Sequence, residues 1–102
     1  MANRKQAAKE TVKTVMVGDV DVKVNLGFAS SWEGVMKAVE MQRLITDEEA
    51  TEGDKLLAAI DYYNGVIANI GEVVEQLGGP TVDSAEVYQV FAAALAEATP
   101  KN

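Results

Sequence analysis

Leu56, Ile60, Tyr63, Ile67, Ile70, Val74 and Leu77 are spaced alternately four and three residues apart. Such a seam follows the 3.6-residue period of an α-helix and no other regular structure. It predicts one continuous helix over 54–77. Ala59, Tyr62, Val66 and Val73 widen the stripe on one flank, and Asp61, Gly65, Ala68, Glu72 and Glu75 lie on the other side. Gly78-Gly79-Pro80 ends the pattern, because Gly takes a left-handed cap and Pro cannot continue a helix. Gly65 and Gly71 each cost such a helix about 1 kcal/mol relative to Ala. Packing on several sides has to offset that cost, which predicts a central helix.

The remaining segments can be placed around it. Val20, Val22, Val24 and Leu26 alternate with Asp21, Lys23 and Asn25, the period of a half-buried strand. Val12, Val15, Met16 and Val17 precede Gly18-Asp19. Gly at the first central position suits a two-residue type II′ turn, so 12–26 reads as a β-hairpin. A lone hairpin is only marginally stable in water. It must lie on a helix or pair with another chain, and both of its edges are expected to be available. Residues 27–29 read as a connector. Ser30 and Glu33 have capping-box spacing before Trp32, Val35, Met36 and Val39, which predicts a helix over 32–44. Residues 45–54 read as an acidic connector. Asp83 and Glu86 repeat the capping signal before Val87, Val90, Phe91, Ala94, Leu95 and Ala98, which predicts a helix over 84–98. The fold class is therefore α+β and mainly α: an N-terminal hairpin followed by three helices. Residues 1–11 read as a flexible basic tail, 12–99 as one globular domain and 100–102 as a C-terminal tail.

Composition narrows the function. At 102 residues the chain has one domain's worth of sequence. It has no cysteine, which excludes disulfides and thiolate metal sites, and no histidine. An enzyme would lack the commonest general base and the commonest transition-metal ligand. A net charge of −7 repels phosphate backbones, so no nucleic-acid partner is expected. Without an apolar run of about 18 residues or the apolar core of a signal peptide, the expected location is cytoplasmic, with no membrane partner.

The search for chemistry finds no Gly-rich phosphate loop and no metalloprotease or hydrolase motif. Asp47, Glu48, Glu49, Glu52 and Asp54 lack the ligand spacing of an EF-hand loop and read as a solvated acidic connector. No catalytic, cofactor or metal residue is assigned and no enzyme is expected. The candidate protein-interaction residues are Trp32, Met36, Tyr62, Val66 and Val73. Trp32 reads first as a core anchor and second as a partner-facing hot spot. Met36 adds an adaptable side chain. Tyr62, Val66 and Val73 form the flank that the last helix either covers or leaves for a partner.

The layout of hairpin, capped helix opening Ser31-Trp32-Glu33, acidic break, long helix, Gly78-Gly79-Pro80 and Ala-rich last helix resembles the small tail assembly chaperones of long-tailed phages and prophages. The resemblance spans about residues 14–102. It implies transient binding of the hydrophobic tape measure protein while tail tube protein assembles on it, together with self-association. It carries no catalytic residue. Pro100-Lys101-Asn102 admits codons containing the slippery heptamer A-AAA-AAC, consistent with a frameshifted longer form. The alternative role is a non-enzymatic structural or regulatory module, either a minor virion component or an acidic DNA mimic.

Overall fold

The computed structural model describes residues 11–99. Of the basic segment only Thr11 is among them; its carbonyl accepts the Leu26 N–H. The C-terminal tail with its slippery-codon reading lies outside the described residues.

Strands β1 (Val12–Val17) and β2 (Val20–Asn25) pair antiparallel, with Val17 opposite Val20 and Val12 opposite Asn25. Gly18 has φ 62°, and no other residue type takes a positive φ. One left-handed residue at the first turn position matches the type II′ expectation. Val15, Val20, Val22 and Val24 are buried on one face of the hairpin, while Val12, Thr14, Met16, Asp21 and Lys23 line the other.

Five helices follow: α1 (Leu26–Ala29), α2 (Trp32–Ile45), α3 (Glu52–Val66), α4 (Ile70–Gln76) and α5 (Ser84–Ala98). The coarse class stands as α+β and mainly α, with helix boundaries that differ from expectation in three places. Residues 26–29 form a short helix, not a bare connector. Asn25 Oδ1 caps it by accepting the Phe28 N–H at 3.0 Å. Ser30 then serves as its C-cap, so the N-cap of α2 moves one residue on to Ser31, whose Oγ accepts the Gly34 N–H at 3.0 Å. Helix α3 starts after Thr51, whose Oγ1 accepts the Asp54 N–H.

The third difference is the largest. The seam over 56–77 is not one helix. It breaks at residues 67–69 between α3 and α4. Ile67 is extended, with φ −101° and ψ 116°, and bridges antiparallel to Val24. The cause lies in the hairpin. In a strand pair joined by a two-residue turn, alternate residues point their N–H and C=O outward, and on β2 these include Asp21 and Lys23. The broken segment satisfies three of these four groups and Gln76 at the end of α4 the fourth. Ala68 N–H donates to Lys23 O at 2.8 Å, and Asn69 Oδ1 accepts the Lys23 N–H at 2.8 Å. Asn69 Nδ2 donates to Asp21 O at 3.1 Å, and Gln76 Oε1 accepts the Asp21 N–H at 3.2 Å. Residues 65–71 hold two glycines, three β-branched residues and an asparagine, all weak helix formers. Little helical stability is lost by opening the chain there. The break also leaves the apolar faces of α3 and α4 on the same core.

Helix α4 ends in a Schellman cap, with Gly79 N–H on Val74 O, Gly78 N–H on Glu75 O, and both glycines at positive φ. Helix α5 has its expected bounds, and Asp83 caps it by accepting the Ala85 N–H. One core unites the hairpin valines with Tyr62, Tyr63, Val66, Ile67, Val73, Val87, Phe91, Ala94 and Ala98. Tyr63 is its aromatic centre, within 5.3 Å of the Tyr62 and Phe91 rings and stacked on Tyr88 at 6.0 Å.

Candidate protein-interaction surface

Helices α2 and α3 lie against each other through their small side chains. Gly34, Ala38 and Met41 fall on one side of α2, and Ala58 and Gly65 on the facing side of α3. Phe28 of α1 wedges between them. A Cβ on Gly65 would come within 2.3 Å of the Phe28 ring, and a Cβ on Gly34 would overlap the Phe28 carbonyl oxygen. Both glycines, unfavourable by helix propensity alone, let α1 approach two helices at once.

This packing turns the large residues of α2 outward. Trp32, Val35, Met36 and Val39 occupy positions i, i+3, i+4 and i+7, one helix face, and all four are exposed, Trp32 by 80% and Met36 by 47%. The indole is therefore not the core anchor that its position at the start of an amphipathic helix implies. Phe28 fills that place. On α3, Leu57 is 67% exposed, and Leu56 and Ile60, the first two residues of the seam, are also exposed.

The five sequence candidates thus separate. Trp32 and Met36 sit together in a groove lined also by Ala58, Glu33, Lys37, Glu40 and Asp61. Tyr62 is 6% exposed, and Val66 and Val73 are fully buried. These three are core and not contact residues, because α5 and the hairpin cover the flank they lie on. Val35 and Val39 belong to the exposed face, although their spacing alone reads as a buried one. The signal for the correct side is Gly34 and Ala38 on the opposite face, since small side chains allow the closest helix approach.

One ion pair, Lys37–Asp61, joins α2 to α3, and the others lie within a single helix. Lys37 Nζ lies 2.9 Å from Asp61 Oδ1 and 3.6 Å from Glu33. Its hydrogen bond to Asp61 raises the ammonium pKa above the usual lysine value. Arg43 binds Glu40 at 2.6 Å, and that hydrogen bond lowers the Glu40 carboxyl pKa. Lys55 pairs with Glu52 at 3.7 Å. Residues 32–61 hold eight acids (Glu33, Glu40, Asp47, Glu48, Glu49, Glu52, Asp54, Asp61) against Lys37, Arg43 and Lys55, a net of −5. The acids paired with these cations are Glu33, Glu40, Glu52 and Asp61, so the surplus charge lies at Asp47, Glu48, Glu49 and Asp54, in and beside the connector between α2 and α3.

A second apolar groove of about 230 Å³ runs between α3, α4 and α5, lined by Ile60, Tyr63, Val74, Val82, Val87 and Tyr88 among others. Its lining includes no carboxylate and no amine. Among the described residues no group of three or more acidic side chains is placed to hold a metal ion, and no helix is long and apolar enough to cross a membrane. No family model, curated protein or solved structure matches the chain.

Proposed function

We propose that this chain is a non-enzymatic protein-binding module whose working face is the outer side of α2, and that it acts as an assembly chaperone for an apolar helix. The carrying observation is the row of Trp32, Val35, Met36 and Val39, four apolar side chains on one helix face that the described residues leave 43–80% exposed. Burying one such side chain is worth about 1.5–3 kcal/mol, so a soluble chain that leaves four of them in water has a strong incentive to bind. A partner helix with its own apolar stripe fits beside α2 and over Ala58. Glu33, Glu40 and Asp61 beside the groove already hold Lys37 and Arg43, so the apolar stripe and not charge supplies the fit. Resemblance to the phage tail assembly chaperones names such a partner, the hydrophobic tape measure protein, with tail tube protein as the second.

The test is co-expression with an apolar helical fragment of a tape measure protein, with and without Trp32→Asp and Met36→Asp. The wild-type chain is expected to keep the fragment soluble and the double variant to release it. Trp32 is the sole tryptophan, so its fluorescence reports the contact directly by shifting to the blue on binding. Equal solubilisation by the double variant, with no spectral shift in the wild type, refutes the assignment. Finding the protein stoichiometrically in purified particles would favour the virion-component reading instead.

A further inference from the structure

The two edges of the hairpin are treated in opposite ways. The outward groups of Asp21 and Lys23 on β2 are all occupied by Ala68, Asn69 and Gln76. On β1 the corresponding outward residues are Val12, Thr14 and Met16, by the same alternation. Their N–H and C=O groups meet no described partner. Of the usual devices that protect an edge β1 carries one, Lys13, at a position whose own N–H and C=O face β2. It has no Pro, no bulge and no covering loop among the described residues, and its outward-facing side chains include exposed Val12 and Met16.

We infer that β1 is a pairing edge for β1 of a second copy of this chain, giving a two-fold, antiparallel, four-stranded sheet. Only one register pairs all three outward residues of each strand: Thr14 opposite its own copy, and Val12 opposite Met16. Side chains agree with that register. The exposed Val12 and Met16 cover each other at both ends, with a Thr pair between them, a favourable cross-strand combination. Lys13 falls opposite Val15, so no like charges face each other across the pair. Charge also favours this surface over others. The chain carries −7 overall, which opposes contact between copies, yet residues 12–25 hold Lys13 and Lys23 against Asp19 and Asp21 and are neutral. An edge contact of this kind is smaller than the 1,200 Å² or so of a standard interface, so the dimer is weak and concentration-dependent. It uses neither Trp32 nor Met36 and leaves the α2 face open.

The chain has no cysteine, which makes the register directly testable in the full-length protein. In a hydrogen-bonded antiparallel pair the Cα atoms are about 5.5 Å apart, within disulfide range. Thr14→Cys is therefore expected to form a disulfide dimer under mild oxidation. Val12→Cys alone is not, because its two-fold mate lies four residues along the strand. Val12→Cys with Met16→Cys is expected to cross-link again. Sedimentation of the wild type should show a concentration-dependent dimer. Thr14→Pro, which removes only an outward N–H, and Thr14→Lys, which sets two like charges opposite, should both be monomeric. Mixing Thr14→Lys with Thr14→Glu should restore the dimer. Equal cross-linking at positions 12 and 14 would mean random collision and overturn the register. Dimers that survive Thr14→Lys but vanish in Trp32→Asp would place the second copy on α2 and overturn the proposal. So would a wild-type monomer whose β1 edge captures an extended apolar peptide, which would assign the edge to a foreign strand.

Discussion

Replacing Gly34 by Ala sets two effects of opposite sign against each other. In an exposed helix interior the change gains about 1 kcal/mol from helix propensity. At Gly34 an added Cβ would stand 1.9 Å from the Phe28 carbonyl oxygen and 2.9 Å from its carbonyl carbon. Non-bonded carbon contacts settle at about 3.5 Å, so α1 and α2 must separate by roughly 1.5 Å. That oxygen also accepts the Ser31 N–H at 3.0 Å and the Ser31 hydroxyl at 2.7 Å. Separation therefore loosens the Ser31 cap as well as the seat of Phe28. Overpacking typically costs about 1–3 kcal/mol, and loss of a cap about 1 kcal/mol. The net expectation is a destabilisation of about 2 kcal/mol, a fall in Tm of roughly 8–16 °C for a chain of this size. Gly71 supplies the control. It sits in helix α4, and an added Cβ there meets nothing within 4 Å, so Gly71→Ala should raise stability by about 0.5–1 kcal/mol. Urea unfolding followed by circular dichroism measures both. A Gly34→Ala protein as stable as the wild type would refute the three-way packing of α1, α2 and α3 and the outward turn of Trp32 that follows from it.

Three further outcomes are expected. Asn69→Ala leaves the Lys23 N–H and the Asp21 carbonyl without their partner and should cost about 1–3 kcal/mol, with faster amide exchange at Lys23 as the specific readout; unchanged exchange would contradict the edge bracket. Val66→Ala, in the core, should cost about 2 kcal/mol, whereas Val39→Ala on the exposed face should change chemical stability by less than about 0.5 kcal/mol. All three tyrosines have their phenol pKa raised, in each case chiefly by burial. A raised folded pKa means the unfolded chain ionises first, so this contribution is intact below about pH 10 and is lost as pH rises through the folded values. With no histidine or cysteine in the chain, stability should be nearly flat between about pH 6 and 9, and a sharp transition in that window would contradict the assignment.

The exposed stripe on α2 shows how far spacing can be read. Positions 32, 35, 36 and 39 form an apolar face by arithmetic alone, and the helix containing them has nearly its expected bounds. Which face turns inward is a different question. Helix α2 is apolar on two sides, and the side with smaller residues wins because Phe28 and α3 can approach it more closely. A pattern of hydrophobicity carries no information on that choice. Tyr62, Val66 and Val73 fail as contact residues for the converse reason: their flank is wide, and α5 and the hairpin close over it.

Local chemistry in the sequence was sufficient for the hairpin, its glycine turn, the Asp83 cap, the Gly78-Gly79 stop and the start of α2. Each depends on groups only a few residues apart, so each can be read without knowing the rest of the chain. The break at 67–69 was decided by tertiary structure. There a seam that fits a helix gives way to Lys23 and Asp21, some 45 residues earlier in the chain, whose outward hydrogen-bonding groups would otherwise go without a partner from this chain. Satisfying those groups with Ala68, Asn69 and Gln76 outweighs a few helical bonds among poor helix formers, and among the described residues it leaves the outward groups of β1 as the hairpin edge without a partner.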